Sequence, residues 1–258
     1  MRYKPLHPGL SMQEIYLITG ASRGIGRSLS LELANSGFTV IGLSRKSPEL
    51  ETLGEKLKTI GSDSIIIPCD LSSAEDIEIA TKKITAKYSQ LDGIVHNAGI
   101  INPIKSMKEV EIDNWNHLIQ VNLVGVQNLT QKLYPLMIGS NRTRVTTISS
   151  GASKHPIGSW SAYCVSKAGL DMWARCLAEE GKEHNISAIS VAPGIVDTNM
   201  QKKIRSSNPD DFPLHPHFVD YHDTGQLVEP DLVAKQLFSL VTTHHMEQTG
   251  GRFDVREL

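Results

Sequence analysis

Tyr163 and Lys167 stand four positions apart in a stretch that is predicted to be a helix. Residues i and i+4 project from the same helix face, so the phenol and the ammonium group are expected to lie side by side. A neighbouring cation favours the phenolate and is expected to lower a phenol pKa from about 10, which suits a proton donor to a ketone oxygen. An isolated pair with this spacing is also typical of a surface tyrosine above a solvated lysine.

Two polar side chains that precede this pair could act with it. Ser150 follows the apolar run that ends at Ile148, and a hydroxyl there could stabilise a developing alkoxide. The adjacent Ser149 is equally suited by its local chemistry. Asn122 lies within an apolar helical stripe, where an unpartnered amide is costly, so it is either a satisfied core residue or a functional one.

A glycine-rich loop follows the first predicted strand and opens the first predicted helix. It reads Thr19-Gly20-Ala21-Ser22-Arg23-Gly24-Ile25-Gly26. Glycines in this context allow a tight turn and a close approach of the backbone to a pyrophosphate, which then sits at a helix N-terminus. Any tight turn can be rich in glycine, but the strand–loop–helix context favours a dinucleotide site.

Strands and helices alternate along the chain, and they must position these side chains. The apolar runs predict strands at Ile15–Thr19, Phe38–Leu43, Ser64–Pro68, Gly93–His96, Arg144–Ile148, Ser187–Ala192 and Arg252–Val255. The helices predicted between them are Ile25–Ser36, Glu49–Ile60, Ala74–Tyr88, Trp115–Leu136, Ser161–His184 and Asp231–Thr242. This alternation is typical of a doubly wound parallel α/β sheet. We expect a single domain over residues 1–258, with a tail at 1–13.

The segment Ile195–Gln226 interrupts the alternation. It carries three prolines and no firm periodicity, so we expect a structureless lid over the site. Its apolar residues, which suit either an apolar or aromatic substrate or self-packing of the loop, are Met200, Phe212, Leu214, Phe218, Val219 and Tyr221. Its histidines and aspartates could bind a metal on paper, but nothing fixes a tetrahedral geometry, and we expect no metal.

Taken together, these motifs resemble those of the single-domain short-chain dehydrogenase/reductase family over residues 15–251. The loop has the family spacing T-G-x-x-x-G-x-G, and the family's catalytic tetrad is matched by Asn122, Ser150, Tyr163 and Lys167. Further matches are Asp70 after the third strand, Asn97-Ala98-Gly99 after the fourth, and Pro193-Gly194 with Thr198 after the sixth. The family spacing selects Ser150 over Ser149. His96 stands where the family often has Asn.

The resemblance implies a Rossmann-type fold, a nicotinamide cofactor and a role for each matched residue. Tyr163 would protonate the substrate oxygen and Ser150 would polarise it. Asn122 would hold a relay water, and Lys167 would also hold the nicotinamide ribose. The implied cofactor residues are Gly20, Ser22, Arg23, Gly24, Ile25, Gly26, Ser44, Arg45, Asp70, Leu71, Asn97, Ala98, Gly99, Tyr163, Lys167, Pro193, Gly194, Val196 and Thr198.

Finer resemblances concern the substrate and the assembly. The run 196–201 with Arg205, and the short ending 249–254, are similar to those of benzil and sepiapterin reductases. In sepiapterin reductases an Asp near the terminus anchors the substrate, and the resemblance implies Asp254 as its counterpart; a terminal-strand Asp is also often merely solvated. The implied substrate residues are Ser150, Trp160, Tyr163, Met200 and Asp254. The two longest predicted helices form the dimer interface in many relatives, so a homodimer or homotetramer is expected.

The end of the second predicted strand bears on cofactor choice. An acidic residue there accepts the ribose hydroxyls of NAD and repels a 2′-phosphate. Here the strand is followed by Ser44, Arg45 and Lys46, and Arg23 adds a cation in the glycine loop. Each cation alone could be a solvated surface charge. Together they favour NADPH, because a guanidinium binds phosphate through two parallel hydrogen bonds.

Charge and composition limit the partners. The 258 residues carry 26 Lys and Arg against 28 Asp and Glu, a net charge of −2 with neutral histidines. This balance argues against nucleic acid or an anionic membrane surface as the main partner. The sequence has no apolar run long enough to span a membrane, and its three cysteines are scattered, so we expect a cytoplasmic protein.

These observations predict one function and leave two alternatives. We expect an NADPH-dependent carbonyl reductase that transfers hydride to a ketone or dicarbonyl. A dehydrogenase that oxidises an alcohol, sugar or steroid would use the same residues. A catalytically silent NADP(H)-binding sensor would need only the nucleotide site, and the presence of all four tetrad residues disfavours it.

Overall fold

A computed structural model describes residues 13–61 and 63–257. Within this part of the chain the strands are β1 (Ile15–Thr19), β2 (Thr39–Ser44), β3 (Ile65–Pro68), β4 (Gly93–His96), β5 (Thr143–Ile148), β6 (Ile186–Ala192) and β7 (Arg252–Asp254). They form one parallel sheet in the order β3-β2-β1-β4-β5-β6-β7. Each strand agrees with its predicted bounds to within one residue, so the predicted parallel sheet is confirmed.

Helices cover both faces of the sheet. They are α1 (Gly24–Asn35), α2 (Pro48–Ile60), α3 (Ala74–Lys87), α4 (Ile112–Ile119), α5 (Gly125–Ile138), α6 (Ser161–Glu180), α7 (Asn199–Arg205), α8 (His215–Asp223) and α9 (Pro230–Thr243). Successive strand residues point to opposite faces. Ile18 therefore packs into the core under α1, α2 and α9, whereas Leu17 packs into the core under α3, α5 and α6. Both side chains are fully buried, which explains why β1 is apolar along nearly its whole length.

The helix predicted at Trp115–Leu136 is continuous but not uniform. A π-helical turn, Gln120–Val124, joins α4 to α5. A π turn inserts one extra residue into the helical ladder and is often found at functional sites. Asn122 lies inside this turn and is fully buried.

The prediction that residues 195–226 are structureless is wrong, because this segment contains the helices α7 and α8. Both helices are short, and α8 has no fully buried residue, so neither produces a long apolar stripe in the sequence. A parallel bridge between Val196 and Val228 joins the two ends of the segment. A 2.6 Å salt bridge between Lys105 and Asp211 ties its middle to the loop that follows β4.

Residues 1–12, which make up most of the predicted tail, lie outside the described residues. In the part of the chain that the structure describes, no helix is long and apolar enough to cross a membrane.

Candidate active site

A cleft of about 760 Å³ opens at the carboxyl ends of the strands. It lies beside the place where the strand order reverses, between β1 and β4, which is where open parallel sheets bind ligands. Nearly all of the predicted site residues line this one cleft; Gly26, Asn122 and Asp254 do not. The sequence therefore predicts the composition of the cleft well, and the three exceptions are described below.

The glycine loop is a tight cradle between β1 and α1. Gly20 has φ +67°, and a Cβ there would lie 2.9 Å from the Ala98 Cα. A Cβ on Gly26 would overlap the Asn97 side chain and the Gly20 carbonyl. Gly26 was expected to touch the cofactor; instead it allows α1 to pack closely against the end of β4. Gly24 and Ile25 at the start of α1 line the cleft, and a helix N-terminus with its unbonded backbone N–H groups suits a dinucleotide pyrophosphate.

Asn97 and its neighbours brace the cradle from β4. The Asn97 side-chain amide donates to the carbonyls of Thr19 and Gly20 at 2.9 and 3.3 Å. The Ala98 N–H donates to the Thr19 hydroxyl at 3.0 Å. These bonds join the ends of β1 and β4, so the floor of the cleft is held by the residues that also line it.

Polar and cationic groups line the far end of the cleft. The Ser44 hydroxyl donates to the Ser22 hydroxyl at 2.9 Å, and Arg23 and Arg45 flank them. Burial opposes ionisation of Asp70, but hydrogen bonds from Ser72 and the nearby Arg45 charge outweigh it and lower the pKa of Asp70. Lys46, the third cation predicted near this site, does not line the cleft.

Asn122 acts behind the cleft wall. Its side-chain oxygen accepts from the Ile100 N–H at 2.8 Å, and its amide donates to the Ile100 carbonyl at 2.9 Å and to the Ser166 hydroxyl at 3.1 Å. The amide is thus satisfied by protein partners, and it ties the loop after β4 to α6. This explains how the buried amide is tolerated in an apolar helix.

The electrostatics of the Tyr163–Lys167 pair differ from the expectation. Burial raises the pKa of Tyr163 to about 12, although its hydrogen bond with Ser150 partly offsets the effect. Burial also lowers the pKa of Lys167 to about 8. The lysine Nζ lies 5.7 Å from the Tyr163 ring centroid and donates to the Ile148 carbonyl at 2.7 Å. Because both groups are desolvated, the predicted lowering of the phenol pKa is wrong, and Tyr163 is protonated at neutral pH.

Ser150 and Ser149 both line the cleft, but their hydroxyls differ. Ser150 caps the short turn Gly151–Ser153, where its hydroxyl accepts from the Ala152 N–H at 3.2 Å, and it also bonds with Tyr163. Ser149 is buried, and its hydroxyl has no described partner. The contact with the phenol favours Ser150, in line with the family spacing.

Two residues that the sequence did not single out support Ser150 and Lys167. Arg252, at the start of β7, donates from its Nη2 to the Ser150 carbonyl at 2.9 Å. Its Nε donates to Asp171 at 3.1 Å, and the Asp171 charge favours the protonated form of Lys167. No local signal in the sequence reveals this contact, because 81 residues separate Arg252 from Asp171 and 102 separate it from Ser150.

Aromatic side chains form the wall beside Tyr163. The Trp160 ring stacks on Phe212 at 5.0 Å and meets the Tyr163 ring edge-on at 5.5 Å. Phe218 lies 5.3 Å from Trp160 and 5.8 Å from Tyr221. Phe212 is fully buried and packs the lid segment against the wall, whereas Trp160, Phe218 and Tyr221 face the cleft. The predicted self-packing of the lid therefore occurs, and contact of Phe218 and Tyr221 with an apolar substrate stays a prediction. Met200 also lines the cleft, with its sulfur 3.9 Å from the Tyr163 hydroxyl.

Asp254, which the resemblance implies as a substrate residue, does not line the cleft. Its carboxylate accepts from the Arg256 Nε at 2.8 Å and from the Arg256 Nη2 at 2.6 Å. These bonds lower the pKa of Asp254 to about 2 despite burial. Arg256 is the residue that reaches the cleft.

The described residues contain no cluster of side chains that could hold a metal ion. No three His, Cys, Asp or Glu side chains among them are suitably placed, and the lid histidines form no such group.

Comparisons with known proteins agree with this geometry. The model of the short chain dehydrogenase family matches residues 14–209. The chain is 36% identical over 249 residues to a benzil reductase ((S)-benzoin forming) of Bacillus subtilis, covering 95% of this chain and 99% of that protein. It is 32% identical over 184 residues to an NADPH-dependent pterin aldehyde reductase of Arabidopsis thaliana, covering 71% and 75% of the two chains.

A solved structure extends the likeness to three dimensions. A short chain dehydrogenase from Escherichia coli CFT073, complexed with NADPH, superposes with a TM-score of 0.81 at 27% identity, covering 96% of this chain and all of that one. The predicted resemblance to the benzil and sepiapterin reductases is confirmed by the named relatives. From its fold, its cleft and these matches, the chain belongs to the short-chain dehydrogenase/reductase family and is an oxidoreductase.

Proposed function

We propose that the protein is an NADPH-dependent carbonyl reductase acting on aromatic ketones or dicarbonyls. The observation that carries the proposal is a buried phenol, Tyr163, which shares the cleft with Ser150 and Lys167 and meets an aromatic wall. A bound nicotinamide cofactor supplies the hydride. The chain's own residues bind the carbonyl compound, hold its oxygen and provide the proton.

The proton step follows from the positions of three side chains. The Ser150 hydroxyl and the Tyr163 phenol together donate to a carbonyl oxygen and stabilise it as it gains charge. An alkoxide is a far stronger base than a phenolate, so Tyr163 can transfer its proton even with a pKa near 12. The Lys167 ammonium group, 5.7 Å from the ring centroid, then stabilises the phenolate.

Preference for NADPH is supported by charge at the far end of the cleft. The chain has Ser44 at the end of β2, where an NAD enzyme carries a carboxylate, and Arg23 and Arg45 stand beside it. Their guanidinium groups suit a 2′-phosphate. The NADPH in the Escherichia coli structure and the NADPH dependence of the Arabidopsis relative are consistent with this choice.

Two further proposals concern the setting of the reaction. Three free cysteines are in keeping with a reducing compartment, and we propose that the protein is cytoplasmic. Exposed apolar side chains on α4 and α6, among them Ile112, Val165 and Met172, support a homo-oligomer through these helices. We propose that the chain is a single domain that acts in such an oligomer. The mass of the purified protein by light scattering tests the oligomer.

The test of the proposed function is NADPH oxidation by the purified protein with a panel of aromatic diketones, pterins and quinones. We expect turnover with at least one aromatic dicarbonyl. Reduction of NADP⁺ with alcohols, sugars or steroids, together with no NADPH-dependent reduction of any carbonyl compound in the panel, would favour the dehydrogenase. Tight NADPH binding without turnover on any member would favour the silent sensor.

A further inference from the structure

We propose that Arg256 is a substrate-recognition residue, which donates hydrogen bonds to a second, neutral oxygen of an aromatic dicarbonyl substrate. The inference rests on the proposed carbonyl reductase function and names the substrate class that the site selects. It starts from the finding that Asp254, the residue predicted to contact substrate, does not line the cleft but holds Arg256, which does.

The guanidinium is held in place by a buried partner. The Asp254 side chain is only 8% exposed, and its two oxygens engage the Nε and the Nη2 of Arg256. The Arg256 backbone N–H donates to the same carboxylate at 3.0 Å, which fixes the turn that carries the side chain. Arg256 lines the cleft with a side chain that is 63% exposed, and its bonds to Asp254 leave the guanidinium little freedom to lose on binding.

One edge of the Arg256 guanidinium has N–H groups that are available to a ligand. Arginine has five N–H donors in a fixed planar arrangement. Asp254 takes the edge formed by Nε and Nη2. No described residue accepts from the Nη1 of Arg256, so the edge formed by Nη1 and the second Nη2 hydrogen can bind a ligand oxygen.

The position of Arg256 matches the substrate end of the cleft. Its Cγ and Cδ lie 3.5 Å from the place that a Cβ of Gly194 would occupy, just after β6. Ser150, Gly194 and Arg256 follow the adjacent strands β5, β6 and β7, at the same edge of the sheet. Ser150 and Arg256 follow strands that are two spacings of about 4.8 Å apart, so their backbones are separated by roughly 10 Å. A ketone with two aromatic rings can span this distance.

The charge balance favours a neutral acceptor over a carboxylate. Asp254 already neutralises Arg256, so a ligand carboxylate on the free edge would be repelled by the buried aspartate. A carbonyl oxygen avoids this repulsion and still receives a charge-assisted hydrogen bond. Phe218 and Tyr221 line the same part of the cleft and suit an aromatic ring on that substrate.

The experiment compares two ligands and two variants. Benzil carries two adjacent carbonyls, and deoxybenzoin carries the same two rings with one carbonyl. Both are measured with wild type and with Arg256→Met, which keeps an aliphatic side chain over Gly194 but removes the donors. Deoxybenzoin is followed as a substrate or as a competitive inhibitor. Arg175→Met, on the exposed face of α6 and outside the cleft, is the matched control.

We expect Arg256→Met to lower kcat/KM for benzil by roughly tenfold or more, since a hydrogen bond to a charged group is lost. For deoxybenzoin, the kcat/KM as a substrate or the inhibition constant as a competitor should not change. The KM for NADPH should not change either. Equal losses for both ligands, or a raised KM for NADPH, would overturn the proposal, because Arg256 would then act on the fold or on the cofactor. If the wild type reduces no carbonyl compound, the proposed function fails and this inference fails with it.

Discussion

At the residue scale, the central feature is that burial affects Tyr163 and Lys167 in opposite directions. The pKa of the phenol rises to about 12 and that of the ammonium group falls to about 8. The phenol therefore stays protonated at physiological pH and can donate its proton. The Lys167 ammonium group is the member of the pair that titrates near physiological pH. Only its charged form stabilises the phenolate that remains on Tyr163 after proton transfer.

This difference predicts the pH dependence of ketone reduction. Lys167 is charged below about pH 8 and loses its charge above it, whereas Tyr163 keeps its proton up to about pH 12. We expect kcat/KM for the ketone to fall as pH rises through about 8, with the dissociation constant for NADPH measured alongside. A profile that stays flat to pH 10 would show that the lysine charge does not assist the step.

We propose that single residues at the end of β2 decide the choice of cofactor. We expect Arg45→Ala to lose much of the preference for NADPH, roughly 10- to 150-fold for one charge-assisted contact. Ser44→Asp should shift the preference towards NADH, because its carboxylate repels the 2′-phosphate and accepts ribose hydroxyls. The measurement is kcat/KM for both cofactors, with Lys46→Ala, which lies outside the cleft, as the control. An unchanged ratio in both test variants would mean that these groups are surface charge only.

At the element scale, side-chain hydrogen bonds join the carboxyl end of β5, the start of β7 and the middle of α6 into one frame. Arg252 bonds the end of β5 to Asp171 on α6, while Lys167 bonds α6 to the Ile148 carbonyl. The π-helical turn adds a third tie, because it brings Asn122 to the loop after β4 and to Ser166. The hydroxyls of Ser150 and Tyr163, which we propose to be catalytic, are therefore positioned by elements that are distant in sequence.

Arg252→Gln tests this frame. The variant removes the charged bonds to Asp171 and to the Ser150 carbonyl, and we expect kcat to fall by roughly tenfold with an unchanged dissociation constant for NADPH. Arg252→Lys should restore part of the rate, and Arg175→Gln should have no effect. Parallel loss of NADPH binding and thermal stability would instead identify Arg252 as a residue of the fold alone.

At the scale of the whole molecule, the sequence predicts what depends on local pattern. Strands such as β1 are readable because they are buried on both faces, and the glycine loop because its spacing is a local motif. The helices α7 and α8 are not readable, because each has few or no buried residues. The roles of Arg252, Asp254 and Arg256 depend on where β7 joins the sheet, which no local pattern specifies.

Two buried histidines predict how global stability depends on pH. Burial lowers the pKa of His96 to about 3 and that of His244 to about 4, from an ordinary value near 6.5. Between about pH 4 and 6.5 the unfolded chain binds these protons and the folded chain does not, so stability falls as pH falls through this window.

Each histidine contributes a slope of about 1.4 kcal/mol per pH unit near pH 5. Urea unfolding between pH 4.5 and 7.5 measures the slope, which His96→Gln should reduce and which replacement of the exposed His184 should not. A free energy of unfolding that is constant between pH 5 and 6.5 would contradict these shifts.

The most direct test of the account is the rate of benzil reduction by Tyr163→Phe, with NADPH affinity measured by fluorescence in the same preparation. The variant keeps the ring that packs against Trp160 and removes only the hydroxyl. The account predicts that turnover falls by roughly 10²- to 10⁴-fold while NADPH binds as in the wild type. Turnover close to that of the wild type would show that another group donates the proton.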